Sequence, residues 1–276
     1  MRLSVIISVY NKPAELELVL AALERQSFKK FEIVIADDGS GVHNEEKIKA
    51  WKLREEQTIV HVRQEKKGFR KTRILNKAVV ASNTAYLIFI DGDCIPHPEF
   101  VEQHYVNRSE ETVLCGGRVM LSKTITDRIL DETISLPDLY SNLFRLIGDS
   151  FRGKKNRSYR VEEGLLVKSN ILNKLLIPGK PRLSGCNFSI HKNLLMKVNG
   201  FNEDYSGPGI GEDTDIEFRL KLAGARFKSV RRKAVLYHLF HEITIENPDN
   251  PNYFRAVKSR RNYVCENGIR KLNAAS

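Results

Sequence analysis

Three pairs of carboxylates are the side chains in this sequence whose type and spacing could do chemistry. They are Asp37-Asp38, Asp91-Gly92-Asp93 and Glu212-Asp213. The first two pairs follow apolar runs, and the third follows glycines at positions 207, 209 and 211. Carboxylates at the end of a buried strand are costly unless a cation or hydrogen-bond donors compensate them. The Asp-x-Asp group, in a chain of net charge +11, therefore predicts a divalent cation and a bound diphosphate.

Alternating strands and helices must position the first two pairs. Apolar or β-rich runs predict strands, and apolar residues at helical spacing predict helices. The predicted strands are 3–10, 31–36, 58–63 and 85–90, and the predicted helices are 13–26, 45–56 and 69–82. Strands buried on both faces and joined by helices predict a parallel sheet, whose ligands bind beyond the carboxyl ends of the strands. Both acidic pairs fall at such ends, so we expect them to share one crevice.

The second half of the chain has a less regular pattern. We predict a strand over 112–121, irregular helical structure over 124–152 and an exposed loop over 153–157. The pattern becomes regular again from the segment 183–190 onward. We predict a helix over 192–198, the acidic loop 209–213 and a helix over 214–223 that ends at Gly224. A strand over 226–230 and another ending at His238 follow.

Length and composition are those of a folded, soluble α/β protein. The chain has 276 residues, of which 41% are hydrophobic, enough for a substantial core. Its apolar stretches are far shorter than the roughly 20 residues that span a bilayer, and we expect neither export nor a transmembrane helix. The four cysteines form no C-x-x-C pair, so neither a zinc ribbon nor a disulfide framework is predicted. The reducing cytoplasm is the expected compartment.

The positive charge is concentrated in two segments. Residues 145–182 carry ten Lys and Arg against three Asp and Glu, and residues 230–276 carry nine against four. The charges of such segments could serve only to keep the surface solvated. Alternatively, the segments could bind nucleic acid, an acidic glycan or an anionic membrane. We favour peripheral contact with the inner face of a membrane, aided by shallow insertion of apolar residues beside the first segment. These apolar residues are Leu139, Leu143, Phe144, Leu146 and Ile147.

The ordered motifs resemble those of family 2 glycosyltransferases, which have the GT-A fold. The resemblance rests on S-V-I-I-S-V-Y-N at the start, D-D-G-S at 37–40, I-D-G-D at 90–93 and G-x-N-x-S at 185–189, and it covers roughly residues 1–240. The stretch G-P-G-I-G-E-D-T-D is also similar to the acidic loop of β-1,4-galactosyltransferases and bacterial chondroitin-type polymerases. Ser8 stands where the family usually has proline, and Arg73-Ile74 where it often has Arg-Asn.

The resemblance implies one GT-A domain: a Rossmann-like, mostly parallel α/β sheet with helices on both faces and a C-terminal acceptor-side region. The expected division is a donor-binding half over 1–121, a basic variable segment over 122–182, an acceptor and catalytic half over 183–241, and a basic tail over 242–276.

The resemblance also implies a set of donor-binding residues. Asp38 would accept a hydrogen bond from the uracil ring, and Asp91 would lie near the ribose hydroxyls and the water shell of the metal. Arg70 and Arg73, three apart on a predicted helix, share a face and could donate to a diphosphate, although either could be ordinary surface charge. The complete set is Ser8, Tyr10, Asp38, Arg70, Arg73, Asp91, Gly185 and Asn187.

Metal binding and catalysis are assigned to the remaining polar residues. Asp93 and Asp91 would hold Mn²⁺ or Mg²⁺ with His238, and His241 is an alternative third ligand, although a lone histidine is usually structural. Asp213 is the predicted general base, because an inverting transfer needs a carboxylate to accept the proton of the acceptor hydroxyl. Glu212 would hold sugar hydroxyls. Asp215 and Glu217 are expected to stabilise the helix dipole.

The predicted function is therefore inverting, metal-dependent transfer of a sugar from a UDP-sugar to a saccharide or lipid-linked saccharide, in cell-surface polysaccharide synthesis. One alternative is a phosphatase or phosphotransferase of the haloacid dehalogenase type, but its D-x-D motif opens the domain and continues with Thr or Val. Here Cys94-Ile95 follows, after three predicted strands. A second alternative, a nucleic-acid binder, leaves the carboxylates without a role, so no nucleic-acid partner is expected.

Overall fold

The computed structural model describes residues 2–54, 57–153, 156–176, 179–209, 211–242 and 246–273. The strands are β1 Leu3–Val9, β2 Phe31–Asp37, β3 Thr58–Arg63, β4 Tyr86–Asp91, β5 Cys94–Pro96, β6 Thr112–Cys115, β7 Val119–Met120, β8 Phe188–His191, β9 Arg226–Ser229 and β10 Leu236–His238. The helices are α1 Pro13–Glu24, α2 Val42–Lys52, α3 Lys71–Ala81, α4 Phe100–Asn107, α5 Lys123–Leu130, α6 Leu136–Ser141, α7 Leu143–Ser150, α8 Asn170–Leu176, α9 Lys192–Lys197, α10 Glu212–Leu222, α11 Asn250–Arg260 and α12 Ile269–Asn273. A 3₁₀ turn spans Val161–Gly164.

A seven-stranded sheet forms the centre of the molecule, in the order β3-β2-β1-β4-β8-β6-β9. The strands β3, β2, β1 and β4 run parallel, whereas β8 is antiparallel to both of its neighbours, and β6 and β9 are parallel. A smaller sheet has the order β5-β10-β7. The predicted α/β class with a mostly parallel sheet is therefore confirmed.

The central strands are buried on both faces, as their apolar sequences require. Side chains alternate along β1, so Leu3, Val5 and Ile7 pack into one core cluster and Ile6 packs into another. The helix α1 covers the first cluster, and α3 covers the second. Helices therefore lie on both faces of the sheet, as predicted.

Strand register brings the carboxyl ends of β2, β1 and β4 to one edge of the sheet. Val9 pairs with Asp37, and Ser8 pairs with Asp91. The smaller sheet then brings the end of β10 to the same edge, because His238 pairs with Cys94 and the Leu239 amide donates to the Asp93 carbonyl at 2.9 Å. Carboxylates and a histidine that are far apart in sequence thus become neighbours.

Several predicted boundaries differ from the structure. The predicted strand 112–121 divides into β6 and β7, which belong to different sheets, because the chain turns at Gly116 against Asn187. A Cβ atom at Gly116 would lie 2.2 Å from the Asn187 side chain. The irregular segment 124–152 forms the three short helices α5, α6 and α7. Residues 154–155 of the predicted loop and residues 55–56 of the predicted second helix lie outside the described residues.

The helix α10 also differs from prediction, because it begins at Glu212 rather than Thr214. Asp215 lies in the first turn of α10, as its predicted interaction with the helix dipole requires, and it is also buried and forms a 2.6 Å ion pair with Arg219, whose side chain is 1% exposed. Arg219 also donates to the carbonyls of Val198 and Gly200. This buried network fixes α10 against the preceding loop and thereby positions the start of the helix.

The apolar residues proposed for membrane insertion do not form one exposed face. Leu139 and Leu146 are buried in a core cluster with the smaller sheet, and Leu143 packs against that cluster. That part of the insertion hypothesis is wrong, because these side chains complete the core; Phe144 alone of the five is exposed. Among the described residues, none of the helices has the length and hydropathy that a membrane span requires.

Candidate functional site

A cleft of about 440 Å³ opens at the carboxyl edge of the sheet. Its walls come from the ends of β1, β2 and β4, the start of α3, the glycine-rich loop before α10, and His241. Ile210 of that loop lies outside the described residues. The polar and charged residues that line the cleft are Ser8, Tyr10, Lys12, Asp38, Lys66, Lys71, Asp91, Asp93, Glu212 and His241.

At one end of the cleft, Asp38 is held by three donors. Gln64 donates to one carboxylate oxygen at 2.7 Å, while the Lys66 ammonium and the Arg70 backbone amide donate to the other, each at 3.1 Å. The Lys66 ammonium also lies 3.5 Å from the centre of the Tyr10 ring, which is partly exposed. A flat ring and a fixed carboxylate are suited to bind a nucleobase.

Asp37, next to Asp38, has a structural role. Its side chain is fully buried, accepts from the Ser40 amide at 2.8 Å and lies 3.1 Å from the His61 ring nitrogen. Burial opposes ionisation, but these partners outweigh it and lower the pKa of Asp37. Asp37 therefore holds the turn, and Asp38 faces the cleft.

Lys71 joins the two acidic groups in the middle of the cleft. Its ammonium lies 2.9 Å from Asp91 and 2.5 Å from Glu212, and Ser8 donates to Asp91 at 2.6 Å. Burial alone would raise the pKa of Asp91, but Lys71 and Ser8 hold it below its usual range. Burial raises the pKa of Glu212, only partly offset by Lys71. One cation thus balances two carboxylates from distant parts of the sequence.

The sequence reasoning missed Lys71 because it placed the start of the helix at Phe69. The helix α3 begins at Lys71, so Arg70 precedes the helix and the two arginines do not share a helical face. Arg70 contributes its backbone amide to Asp38, while its side chain bonds to the Glu65 carbonyl. The signal that could have found Lys71 is its position in the first turn of a helix beside a strand-end carboxylate.

At the other end of the cleft, Asp93 is surrounded by nitrogen atoms. The Lys12 ammonium lies 2.6 Å from it, and the Nε2 atoms of His238 and His241 lie 3.7 and 3.6 Å away. Burial, despite the opposing charge of Asp93, lowers the pKa of His238 to about 4, so its ring is neutral near pH 7. The His238 Nδ1 atom is buried, and no group among the described residues forms a hydrogen bond with it.

These groups fit a divalent cation. A carboxylate and two imidazoles supply hard and borderline donors of the kind that Mn²⁺ accepts, and a neutral His238 has a free lone pair for a metal. The Lys12 ammonium provides the positive charge beside Asp93 that a bound cation would otherwise provide. The centres of the two histidine rings are 5.0 Å apart, and each Nε2 atom lies near a different carboxylate oxygen of Asp93.

Two thiols lie beneath the Asp-x-Asp turn, an arrangement that the sequence did not indicate. Ligand atoms of Asp91, Cys94 and Cys186 lie within 4.8 Å of one another, as do those of Asp93, Cys94 and His238. Burial raises the pKa of the Cys94 thiol well above its usual value. A protonated thiol is a poor ligand for a hard cation, so the carboxylate and the histidines are the better candidates to hold a metal.

The two acidic residues at the start of α10 face different cavities. Glu212 lines the cleft described above, whereas Asp213 lines a neighbouring pocket of about 300 Å³. Gly185 separates them: its amide donates to Asp213 at 3.4 Å, and a Cβ atom there would lie 3.3 Å from Glu212. The Glu212 carboxylate thus faces the cleft, and the Asp213 carboxylate faces the neighbouring pocket.

Four of the predicted donor-binding residues, Arg70, Arg73, Gly185 and Asn187, do not line the cleft. Arg73 lies 3.7 Å from Glu203. Asn187 is fully buried, donates to the carbonyls of Gly117 and Ala234, and lies 3.1 Å from the His104 ring. Their roles as donor-binding residues stay predictions without a supporting contact.

Comparison with known proteins adds sequence relatives. A sequence profile described as "Glycosyl transferase family 2" matches residues 4–176, and one described as "N-terminal domain of galactosyltransferase" matches residues 178–242. Chondroitin synthase of Escherichia coli is 25% identical over 86% of this chain and 34% of its own length. Hyaluronan synthase of Pasteurella multocida is 25% identical over 83% of this chain and 24% of its own length. The chain thus spans about a third or less of these relatives.

Solved structures with the same fold include S. aureus TarS 1-349 in complex with UDP, with a TM-score of 0.59 and 18% identity over 95% of this chain and 65% of that one. The mannosyltransferase PcManGT from Pyrobaculum calidifontis in complex with GDP-Man and Mn²⁺ also has a TM-score of 0.59, with 16% identity over 95% of this chain and 64% of that one. At these identities the likeness concerns the fold, and it confirms the fold predicted from the sequence.

Proposed function

This chain belongs to glycosyl transferase family 2 and has the GT-A fold, and we propose that it is an inverting, metal-dependent enzyme that moves a sugar from a UDP-sugar to a saccharide acceptor. The observation that carries the proposal is the pair Glu212 and Asp213, neighbours in sequence that line two adjoining cavities. A donor in one cavity and an acceptor in the other would meet at this boundary.

The proposed donor site is the cleft. Asp38, fixed by Gln64 and Lys66, would accept from a uracil N–H, and the Tyr10 ring would lie against the base. A UDP donor is supported by the complexes of TarS with UDP and UDP-GlcNAc. Lys71 would exchange part of its contact with Asp91 and Glu212 for a diphosphate oxygen, because it is the cation at the centre of the cleft.

The proposed metal site consists of Asp93, His238 and His241, with Asp91 nearby. A bound Mn²⁺ or Mg²⁺ would supply positive charge to the departing diphosphate. Asp93 would give up its contact with Lys12 to act as a ligand, and the ammonium of Lys12, at 31% exposure, can turn to the diphosphate or to solvent. The Mn²⁺ complex of PcManGT supports a metal in this fold.

The proposed proton acceptor is Asp213. Its carboxylate accepts weak hydrogen bonds from the Gly185 amide at 3.4 Å and the Thr214 hydroxyl at 3.2 Å, and no described cation forms an ion pair with it. A carboxylate held only by weak donors can accept the proton of the acceptor hydroxyl while that oxygen attacks the anomeric carbon. A single displacement needs no enzymatic nucleophile and inverts the anomeric centre. Glu212 would hold Lys71 and accept from donor hydroxyls.

We place the reaction in the synthesis of a cell-surface polysaccharide, with a saccharide or lipid-linked saccharide as acceptor. The similarity to chondroitin synthase and hyaluronan synthase supports this assignment.

A panel of UDP-sugars tests the proposed function. We expect one member to be hydrolysed in the presence of Mn²⁺ and to raise the melting temperature of the protein. Hydrolysis of a phosphate monoester instead, or oligonucleotide binding without use of any UDP-sugar, would contradict the proposal.

Peripheral membrane contact is a separate proposal, supported by α8. Ile171 and Leu175 on this helix are 75% and 73% exposed, and the basic residues Lys168 and Lys180 lie close to them in the sequence. Apolar side chains flanked by cations suit the surface of an anionic bilayer.

We expect the protein to co-sediment with anionic vesicles at low salt, and Ile171→Ser/Leu175→Ser to weaken this by roughly tenfold or more, since each side chain contributes about 1.5 kcal/mol when buried. The matched variant Leu53→Ser/Val106→Ser, which removes two other exposed apolar side chains, should bind like the wild type. Equal binding to neutral vesicles, or none to anionic ones, would contradict the contact.

A further inference from the structure

The pocket that contains Asp213 is unusually basic. Its walls include the turn after β6, the loop before β8 and the turn after β9. Five cationic side chains line it, and they are Arg118, Arg160, Lys180, Arg182 and Arg231. They come from four separate parts of the sequence, and the fold brings them around one cavity of about 300 Å³.

Most of this positive charge has no carboxylate partner. Arg231 is neutralised by Glu163, a buried residue whose carboxylate accepts from its guanidinium. By contrast, no carboxylate within the described ranges forms an ion pair with Arg118, Arg160 or Arg182. Arg118 is oriented by a 3.0 Å hydrogen bond to the Cys186 sulfur. Five cations against Asp213 and Glu163 leave the pocket with a net positive charge.

The donor cleft has the opposite arrangement. There Lys12 pairs with Asp93, Lys66 with Asp38, and Lys71 with both Asp91 and Glu212. The diphosphate of the donor therefore does not account for the unpaired arginines of the other pocket. Guanidinium groups without internal partners suit a ligand that brings its own carboxylate or phosphate, because they can donate two parallel hydrogen bonds to it.

We propose that the acceptor is an anionic saccharide, whose carboxylate or phosphate ester is bound by Arg118, Arg160 and Arg182 while a hydroxyl faces Asp213. This inference rests on the proposed function, since it takes Asp213 as the proton acceptor. The negative charge of Asp213 keeps the anionic group at the arginines and leaves the neutral hydroxyl at the carboxylate. The anion thus selects the acceptor and also fixes its orientation.

A concave pocket favours a soluble or extended glycan over a bilayer surface as the source of the anion. The pocket of about 300 Å³ is lined by Gly116, Gly117, Leu183 and Ser184 as well as by the cations, and a glycan can enter such a cavity whereas a flat bilayer surface cannot. Arg160 and Arg182 are exposed enough to be replaced without disturbing the core.

The test compares three tetrasaccharides, one ending in glucuronic acid, its carboxyl-reduced form, and that neutral form carrying a phosphate monoester. Binding to the full chain is measured by calorimetry at low and high salt, without donor. We expect one or both anionic probes to bind at least tenfold more tightly than the neutral probe. The preferred anionic probe then identifies the group, a carboxylate or a phosphate.

The double variant Arg160→Gln/Arg182→Gln should weaken binding of the anionic probe by roughly 10- to 100-fold, since it removes two guanidinium groups that donate charge-assisted hydrogen bonds. The matched variant Arg255→Gln/Lys258→Gln, which removes two exposed charges on α11, should bind like the wild type. Hydrolysis of UDP-sugar by the matched variant should equal that of the wild type, because neither Arg255 nor Lys258 lines the donor cleft.

Equal binding of charged and neutral tetrasaccharides would overturn the inference, as would an equal effect of the two double variants. Displacement of the anionic probe by phosphatidylglycerol vesicles would assign the arginines to a membrane and would also overturn it. Absence of UDP-sugar hydrolysis would instead contradict the proposed function, and the binding measurement would still decide whether the pocket takes an anionic glycan.

Discussion

Turnover should fall by roughly 10³-fold when Asp93 is replaced by alanine, because the loss of a metal ligand removes several kcal/mol of stabilisation from the departing diphosphate. The structure gives Asp93 the central place among the candidate ligands, between His238 and His241. We expect stabilisation of the protein by UDP to lose its dependence on Mn²⁺ in Asp93→Ala. Steady-state transfer and thermal unfolding with and without Mn²⁺ measure both effects.

Two controls separate ligand loss from loss of the ion pair with Lys12. Asp93→Asn keeps the size of the side chain but removes its charge, and it should resemble Asp93→Ala in turnover. Lys12→Met removes the 2.6 Å ion pair and leaves the carboxylate, so Mn²⁺-dependent stabilisation should persist. Undiminished turnover in Asp93→Ala, or wild-type activity in excess chelator, would show that the assignment of Asp93 is wrong.

Replacement of Asp213 by asparagine should lower transfer by roughly 10²-fold or more while UDP affinity changes little, since a general base contributes about 10²- to 10⁴-fold. The reason is geometric: Asp213 lines the pocket beside the donor cleft and does not line the cleft itself. The side-chain amide of the introduced asparagine would keep the shape of the site but could not accept a proton.

Glu212→Gln is the matched comparison for Asp213→Asn, because the two positions are adjacent and the chemical change is the same. Glu212 forms an ion pair with Lys71 in the donor cleft, so its variant should weaken UDP-sugar binding. Titration with UDP and initial rates of transfer distinguish the two variants. A loss of UDP affinity in Asp213→Asn as large as in Glu212→Gln would make Asp213 a donor-site residue.

The sequence predicted the fold and the edge of the sheet where the site lies, since both depend on local patterns. Apolar runs of strand length with helices between them predict a parallel sheet, and Asp38, Asp91 and Asp93 lie at or just beyond the ends of its strands. Their convergence follows from the direction of the strands alone. Strand direction does not determine whether each residue binds a metal or the donor, so these roles stay proposals.

Only the tertiary structure decided which charges meet. Lys71 balances Asp91 and Glu212, which are 20 and 141 positions further along the chain. In the folded chain Lys71 lines the cleft, whereas Arg73 does not. Glu212 and Asp213 differ by one position, yet the rotation of about 100° per helical residue directs them into separate cavities. The spacing of residues in the sequence does not show how a helix is rotated or which distant loops come together. Both features determine the position of the arginine-lined pocket beside Asp213.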